Sequence, residues 1–110
     1  VIRVLVAGGA DTEQRDDTGS TALLWAAELG RAAVIDALLK AGSKVDASNN
    51  EGWTALFEAA YGGHGAAVER LLAAGADTAF QDTAGFKAAD YAQQRGHSDI
   101  AKIILHTGAL

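Results

Sequence analysis

Ten of the 13 glycines of this 110-residue chain fall on a single lattice. Gly19, Gly52 and Gly85 are 33 residues apart, as are Gly30, Gly63 and Gly96, and again Gly9, Gly42, Gly75 and Gly108. Laying Asp16–Ser48 over Asn49–Gln81 gives 12 identities in 33 positions, where chance at this composition gives roughly three. Asp82–Leu110 matches the second copy at 8 of 29 positions, and Leu5, Val6 and Gly9 overlie Leu38, Leu39 and Gly42. A period of this size implies stacked units, each too small to bury its own apolar face. The units read as a partial one over residues 1–15 and full ones over 16–48, 49–81 and 82–110, within one domain.

Each unit reads as helix, turn, helix, loop. Thr21 and Thr54 suit an N-cap before short apolar helices over Ala22–Glu28 and Ala55–Tyr61. Gly30 and Gly63 stop these helices by supplying a positive φ. Second helices are expected at Ala32–Lys40, Ala66–Ala73 and Ser98–His106, where apolar residues recur at helical spacing, as in Val34, Ile35, Leu38 and Leu39. Gly42, Gly75 and Gly108 are expected to end them. The polar stretches over 42–52 and 75–85 read as projecting loops, with Asn49-Asn50-Glu51-Gly52 the clearest turn.

On these residues the chain resembles the ankyrin repeat family. The resemblance is carried by Gly-Ser-Thr-Ala-Leu at 19–23 and Gly-Trp-Thr-Ala-Leu at 52–56, each followed by Ala-Ala at 26–27 and 59–60. The Gly-His pairs at 63–64 and 96–97 fit, as do Leu-Leu-x-x-Gly-Ala-Asp at 71–77 and its partial copy at 5–11. It implies an all-α ankyrin repeat solenoid of stacked helix-turn-helix units with projecting loops. The family's Thr-Pro-Leu-His tetrapeptide stands here as Thr-Ala-Leu-Leu at 21–24, Thr-Ala-Leu-Phe at 54–57 and Lys-Ala-Ala-Asp at 87–90. Replacement of its proline by alanine accounts for a chain without proline. Loss of its histidine removes a Thr–His hydrogen bond, leaving Thr21 and Thr54 as caps. Gln93, Gln94, Arg95, Lys102 and His106 give the third copy the polarity of a terminal capping repeat. The excess of small residues, 25 Ala and 13 Gly, follows from helices that approach closely across Ala26, Ala27, Ala59, Ala60 and Ala92.

Several chemistries are disfavoured. The chain has no cysteine, so neither a disulfide framework nor a Cys-ligated zinc site can form. A net charge of −5 with scattered basic residues argues against nucleic acid. No apolar run approaches the roughly 18 residues of a membrane span. Residues 4–11 imitate a dinucleotide-binding turn, but the third glycine is missing and the copies in register are helix ends. Gly62-Gly63-His64-Gly65 lacks the Lys and Ser/Thr of a phosphate loop and reads as an interhelical turn. His64 and His97 occupy equivalent positions a repeat apart, and the resemblance gives the histidine there a structural role. His97-Ser98-Asp99 are consecutive and point different ways. No catalytic residue, metal site or cofactor is expected.

Surface recognition remains. The resemblance implies a concave surface of loop tips and inner helices that binds a partner protein. Carried over residue by residue, the candidate contacts are Asp17, Ser20, Glu28, Asn50, Glu51, Trp53, Tyr61, Phe86 and Arg95. Aromatic residues are enriched at binding hot spots; Trp53 and Phe86 either face a partner or lie flat over the adjacent loop and cover the core. Trp25 falls among apolar neighbours and is expected in the core. The acidic residues Asp16, Asp17, Glu28, Asp46, Glu51 and Glu58 either favour a basic partner or act as dispersed solubilising charge. The alternative function is a structural or regulatory segment of a longer protein. Val1 falls inside a second helix, so the expectation is self-association through that end or a longer parent sequence. A cytoplasmic or nuclear setting is expected. The loop positions matching the family's hydroxylated asparagine are Glu13, Asp46 and Ala79, so that modification is not expected.

Overall fold

The computed structural model describes residues 14–109, with side chains to residue 107. The partial repeat over residues 1–15, and self-association through it, fall almost wholly outside the described residues. Six helices follow in three pairs: α1 (Ala22–Glu28), α2 (Ala32–Lys40), α3 (Ala55–Gly62), α4 (Gly65–Ala73), α5 (Ala88–Gln94) and α6 (Ser98–Ala109). Among the described residues there is no strand. α1, α3 and α5 pack side by side as one layer, and α2, α4 and α6 form a second layer behind them.

The short first helices are terminated by glycine. Gly30 and Gly63 adopt φ of 71° and 74°. The Arg31 and His64 amides then donate back to the Ala26 and Ala59 carbonyls, each at 2.9 Å, the six-to-one closure of a Schellman motif. A side chain at either glycine would strike the histidine of the next repeat: a Cβ at Gly30 would lie 2.5 Å from His64 and one at Gly63 2.7 Å from His97. The His64 imidazole Nε2 donates to the Glu28 carbonyl at 3.0 Å, so this histidine ties one repeat to the helix end of the one before.

Between the layers lies the core. Leu23, Leu24, Ile35, Leu38, Leu56, Phe57, Val68, Leu71 and Ile104 are all buried, and Ala27, Ala60 and Ala92 fill the contacts between first helices where nothing larger fits.

Two local expectations are corrected. Thr21 and Thr54 do occupy the N-cap positions, and their carbonyls accept the first helical amides, from Trp25 and Glu58, at 3.2 Å. Their hydroxyls, however, make no capping hydrogen bond and are buried without a partner. Each threonine fills space at the helix start and leaves a polar atom unsatisfied. Gly108 does not stop the last helix, which runs on to Ala109. After Gly42 and Gly75 the chain folds back, with the Ser43 and Ala76 amides donating to the Leu38 and Leu71 carbonyls at 3.0 and 3.1 Å. α6 continues its helical hydrogen bonding instead, and the Thr107 hydroxyl adds a bond to the Ile103 carbonyl at 2.9 Å.

Candidate functional site

Three hairpin turns stand ahead of α1, α3 and α5, each organised by one side-chain oxygen. Asp16 Oδ1 accepts the amides of Thr18 and Ser20 at 2.9 and 3.0 Å. Asn49 Oδ1 accepts those of Glu51 and Trp53 at 2.9 and 3.1 Å. Asp82 Oδ1 accepts those of Ala84 and Phe86 at 3.0 and 2.9 Å. Aspartate and asparagine place an acceptor over the turn in this way, and the hydroxyls of serine and threonine do so more weakly. Gly19, Gly52 and Gly85 complete the turns with φ between 78° and 86°.

The hairpins also bond to one another. The Asn50 amide donates to the Thr18 carbonyl at 3.0 Å, and the Thr83 amide to the Glu51 carbonyl at 3.1 Å. A Cβ at Gly19 would lie 2.5 Å from Asn50 Oδ1, and one at Gly52 would lie 2.9 Å from the Thr83 backbone nitrogen. Arg15 clamps the first two turns by donating to the Gly19 and Ser48 carbonyls, both at 2.6 Å. The tips therefore form a continuous, backbone-bonded row.

Below the second and third tips lies a ring cluster. The Trp53 ring centroid is 5.3 Å from that of Tyr61 and 4.9 Å from that of Tyr91. Phe86 sits 5.6 Å from Tyr91, edge to face, a favourable aromatic arrangement. Asp82, 8% exposed, fixes two of these rings: its Oδ2 accepts the Trp53 indole N–H at 3.0 Å and the Tyr91 hydroxyl. Burial pushes the Asp82 carboxyl up, but the bonds from Tyr91, Phe86, Trp53 and Ala84 outweigh it, and the group stays below the usual aspartate range. Burial and the Asp82 hydrogen bond both push the Tyr91 hydroxyl up. The Arg95 guanidinium lies 4.6 Å over the Tyr61 ring centroid, a cation–π contact.

The first turn has a matching but more open arrangement. Asp16 accepts the Trp25 indole N–H through its second oxygen. The Thr18 hydroxyl bond, then the Ser20 amide, the Trp25 indole and the Thr18 amide, hold its carboxyl down at about 2. Trp25 is therefore half-buried and hydrogen-bonded rather than enclosed in the core. In the central repeat the residue in register with Trp25 and Tyr91 is Glu58. Burial, then the nearby charges of Glu28 and Glu51, push its carboxyl up to about 7.

Of the sequence-derived candidates, Asp17, Glu28, Asn50, Glu51, Tyr61, Phe86 and Arg95 are exposed on this side of the molecule. Trp53, Tyr61, Phe86 and Arg95 fall into the one ring cluster. Trp53 is half-buried, packs on the core through Phe57 and is bonded to Asp82, so core covering is one of its roles. Ser20 is buried, its hydroxyl 2.9 Å from that of Thr18, and it offers a partner little surface. Sequence reasoning passed over Asp82 and Tyr91. Their signal was the period itself, which aligns Asp16, Asn49 and Asp82 in one row and Trp25, Glu58 and Tyr91 in another. Among the described residues no group of three His, Asp or Glu could hold a metal ion, and no helix is long and apolar enough to cross a membrane.

The geometry is one of stacked helical pairs carrying a row of bonded hairpin tips. The family model for ankyrin repeats (three copies) matches residues 1–82 and again residues 42–109. No curated protein matches the chain in sequence. Ankyrin repeats are generally non-enzymatic modules that bind other proteins. Two helical layers repeating every 33 residues, and a family match spanning residues 1–109, place this chain in the ankyrin repeat family.

Proposed function

We propose that this chain binds a partner protein through the face formed by its hairpin tips and first helices, centred on Trp53, Tyr61 and Phe86. The supporting observation is the ring cluster: Tyr61 and Phe86 remain 39% and 41% exposed while Asp82 and neighbouring rings hold the surrounding aromatics in place. Rigid, partly exposed aromatics bury large area with little ordering entropy, which is the character of an interface hot spot. Asp17, Glu28, Asn50, Glu51 and Arg95 surround the cluster as a polar rim.

The test is a calorimetric titration of Tyr61→Ala and Trp53→Ala against a partner captured on the immobilised chain. Tyr61→Ala is expected to weaken binding about tenfold or more, with the circular dichroism spectrum unchanged. Trp53→Ala also uncovers core, so Phe86→Ala serves as a second variant with a smaller structural burden. Unchanged affinity in Tyr61→Ala and Phe86→Ala, with the fold intact, overturns the reading.

A further inference from the structure

The ring cluster is built from two repeats: Trp53 and Tyr61 come from the second, Phe86, Tyr91 and Arg95 from the third. The polar ties of the junction between these repeats lie within the cluster and its hairpins. Asp82 of the third repeat accepts the Trp53 indole N–H of the second at 3.0 Å. The Thr83 amide and hydroxyl both donate to the Glu51 carbonyl at 3.1 Å, and the Arg95 guanidinium covers the Tyr61 ring.

The junction between the first and second repeats is tied elsewhere as well. At the interhelical turn His64 bonds to the Glu28 carbonyl at 3.0 Å. In the loop after the second helix the Asp77 amide donates to Asp46 Oδ1 at 2.9 Å. Across the second layer Arg70 on α4 pairs with Asp36 on α2. One period on, these ties are missing. His97 stands in register with His64 and lies against Gly63, yet its imidazole makes no hydrogen bond among the described residues. Ala79 stands in register with Asp46 and offers no side-chain acceptor, while Ile103 stands in register with Arg70 and gives Glu69 no opposite charge. Between α4 and α6 the junction is held by apolar packing, through Val68, Leu71, Ile100 and Ile104.

We propose that the third repeat is a docking unit latched by Asp82: it parts from the second repeat before the rest of the stack opens, and its parting dismantles the aromatic face. One repeat alone buries too little apolar surface to persist, so the parted unit loses its helices. The consequence for binding rests on the reading above. A partner that spans Tyr61 and Phe86 meets both repeats, so it binds the docked state alone and holds this junction shut.

The two indole N–H groups of the isotope-labelled chain test this without any partner. Trp53 bonds across the junction to Asp82, whereas Trp25 bonds within its own repeat to Asp16. In a urea titration followed by proton–nitrogen correlation spectra, the native Trp53 indole signal and the amides of residues 82–107 should disappear together. Their midpoint is expected about 0.5 M below that of the Trp25 indole. Ile103→Arg places a cation opposite Glu69, and Ile103→Gln matches its loss of packing without the charge. The third repeat of Ile103→Arg should persist to about 0.2 M more urea than that of Ile103→Gln, and lose this advantage in about 1 M salt. One midpoint for both indoles in the parent chain overturns the proposal, as does release of the first repeat ahead of the third. Equal midpoints in the two Ile103 variants overturn the assignment of the weaker junction to its missing ties. Since no partner enters, these outcomes are independent of whether Tyr61→Ala and Phe86→Ala weaken binding.

Discussion

In the first and third hairpins the aspartate at the turn reaches an aromatic donor nine residues on, Asp16 to Trp25 and Asp82 to Tyr91. In the second hairpin both members differ: asparagine stands at 49 and glutamate at 58. A carboxylate at 49 would repel Glu58, whereas the Asn49 amide accepts the same two backbone amides without needing a further donor. The backbone task is thus common to all three turns, while the partner on the helix is free to vary. Where a ring donor is kept, the helix position is engaged in holding the turn. Where it is lost, the position is released and carries charge on the open face.

This contrast is most sharply tested at its two ends. Asp82→Ala removes the acceptor of two amides, an indole N–H and a phenol, and should cost about 2–4 kcal/mol in denaturant unfolding. Asn49→Ala loses only the two turn amides' partner and should cost about 1 kcal/mol. Equal losses would erase the distinction between the rows. The alanine contacts, by contrast, belong to every row, so Ala27→Leu and Ala60→Leu should each overpack by about 1–3 kcal/mol, read as lowered thermal midpoints.

Glu58 gives a pH signature opposite to that of the turn aspartates. Its folded carboxyl titrates near 7 against an ordinary value of 4.5. Its contribution to stability is therefore full below about pH 4.5 and is lost as the pH rises through 7. Glu58→Gln should raise stability at pH 8 by on the order of 1 kcal/mol, after allowance for solvent screening, and change nothing at pH 4. Asp16, lowered from 3.8 to about 2, acts in the other sense: its contribution is present above pH 3.8 and is lost as the pH falls toward 2. Thermal midpoints across pH 2–9 should thus peak between these windows, and Glu58→Gln should flatten the alkaline side alone. The smallest effect is expected of Trp25→Phe. Asp16 keeps its three other donors there, so the loss should be about 0.5 kcal/mol in denaturant unfolding.

Much of the scaffold was legible because it depends on local chemistry repeated at a fixed interval. Positive-φ glycines ended α1 and α3, and apolar spacing placed α2, α4 and α6 within a residue at their starts. The site was legible as positions but not as contacts. Which way Trp53 faces depends on Asp82, 29 residues away, and no local pattern contains that distance. The half-burial of Glu58 arises from the helices on either side of α3. The Thr21 and Thr54 hydroxyls illustrate the converse: a favourable N-cap residue type was present, yet the hydroxyl made no bond. Gly108 likewise sits on the glycine lattice, but α6 runs through it to Ala109.

The bonds between hairpin tips carry a consequence for how the stack opens. The Asn50 and Thr83 amides are each held by the carbonyl of the preceding repeat, not by their own. Both bonds cross a junction between repeats, so each is lost when the two neighbouring repeats part. These two amides are thus built-in exchange reporters, one per junction, and their hydrogen-exchange rates measure the separation of one repeat from the next. A chain that frays from its C-terminal end would release Thr83 first and keep Asn50 protected, so the order of exchange traces the direction of unravelling.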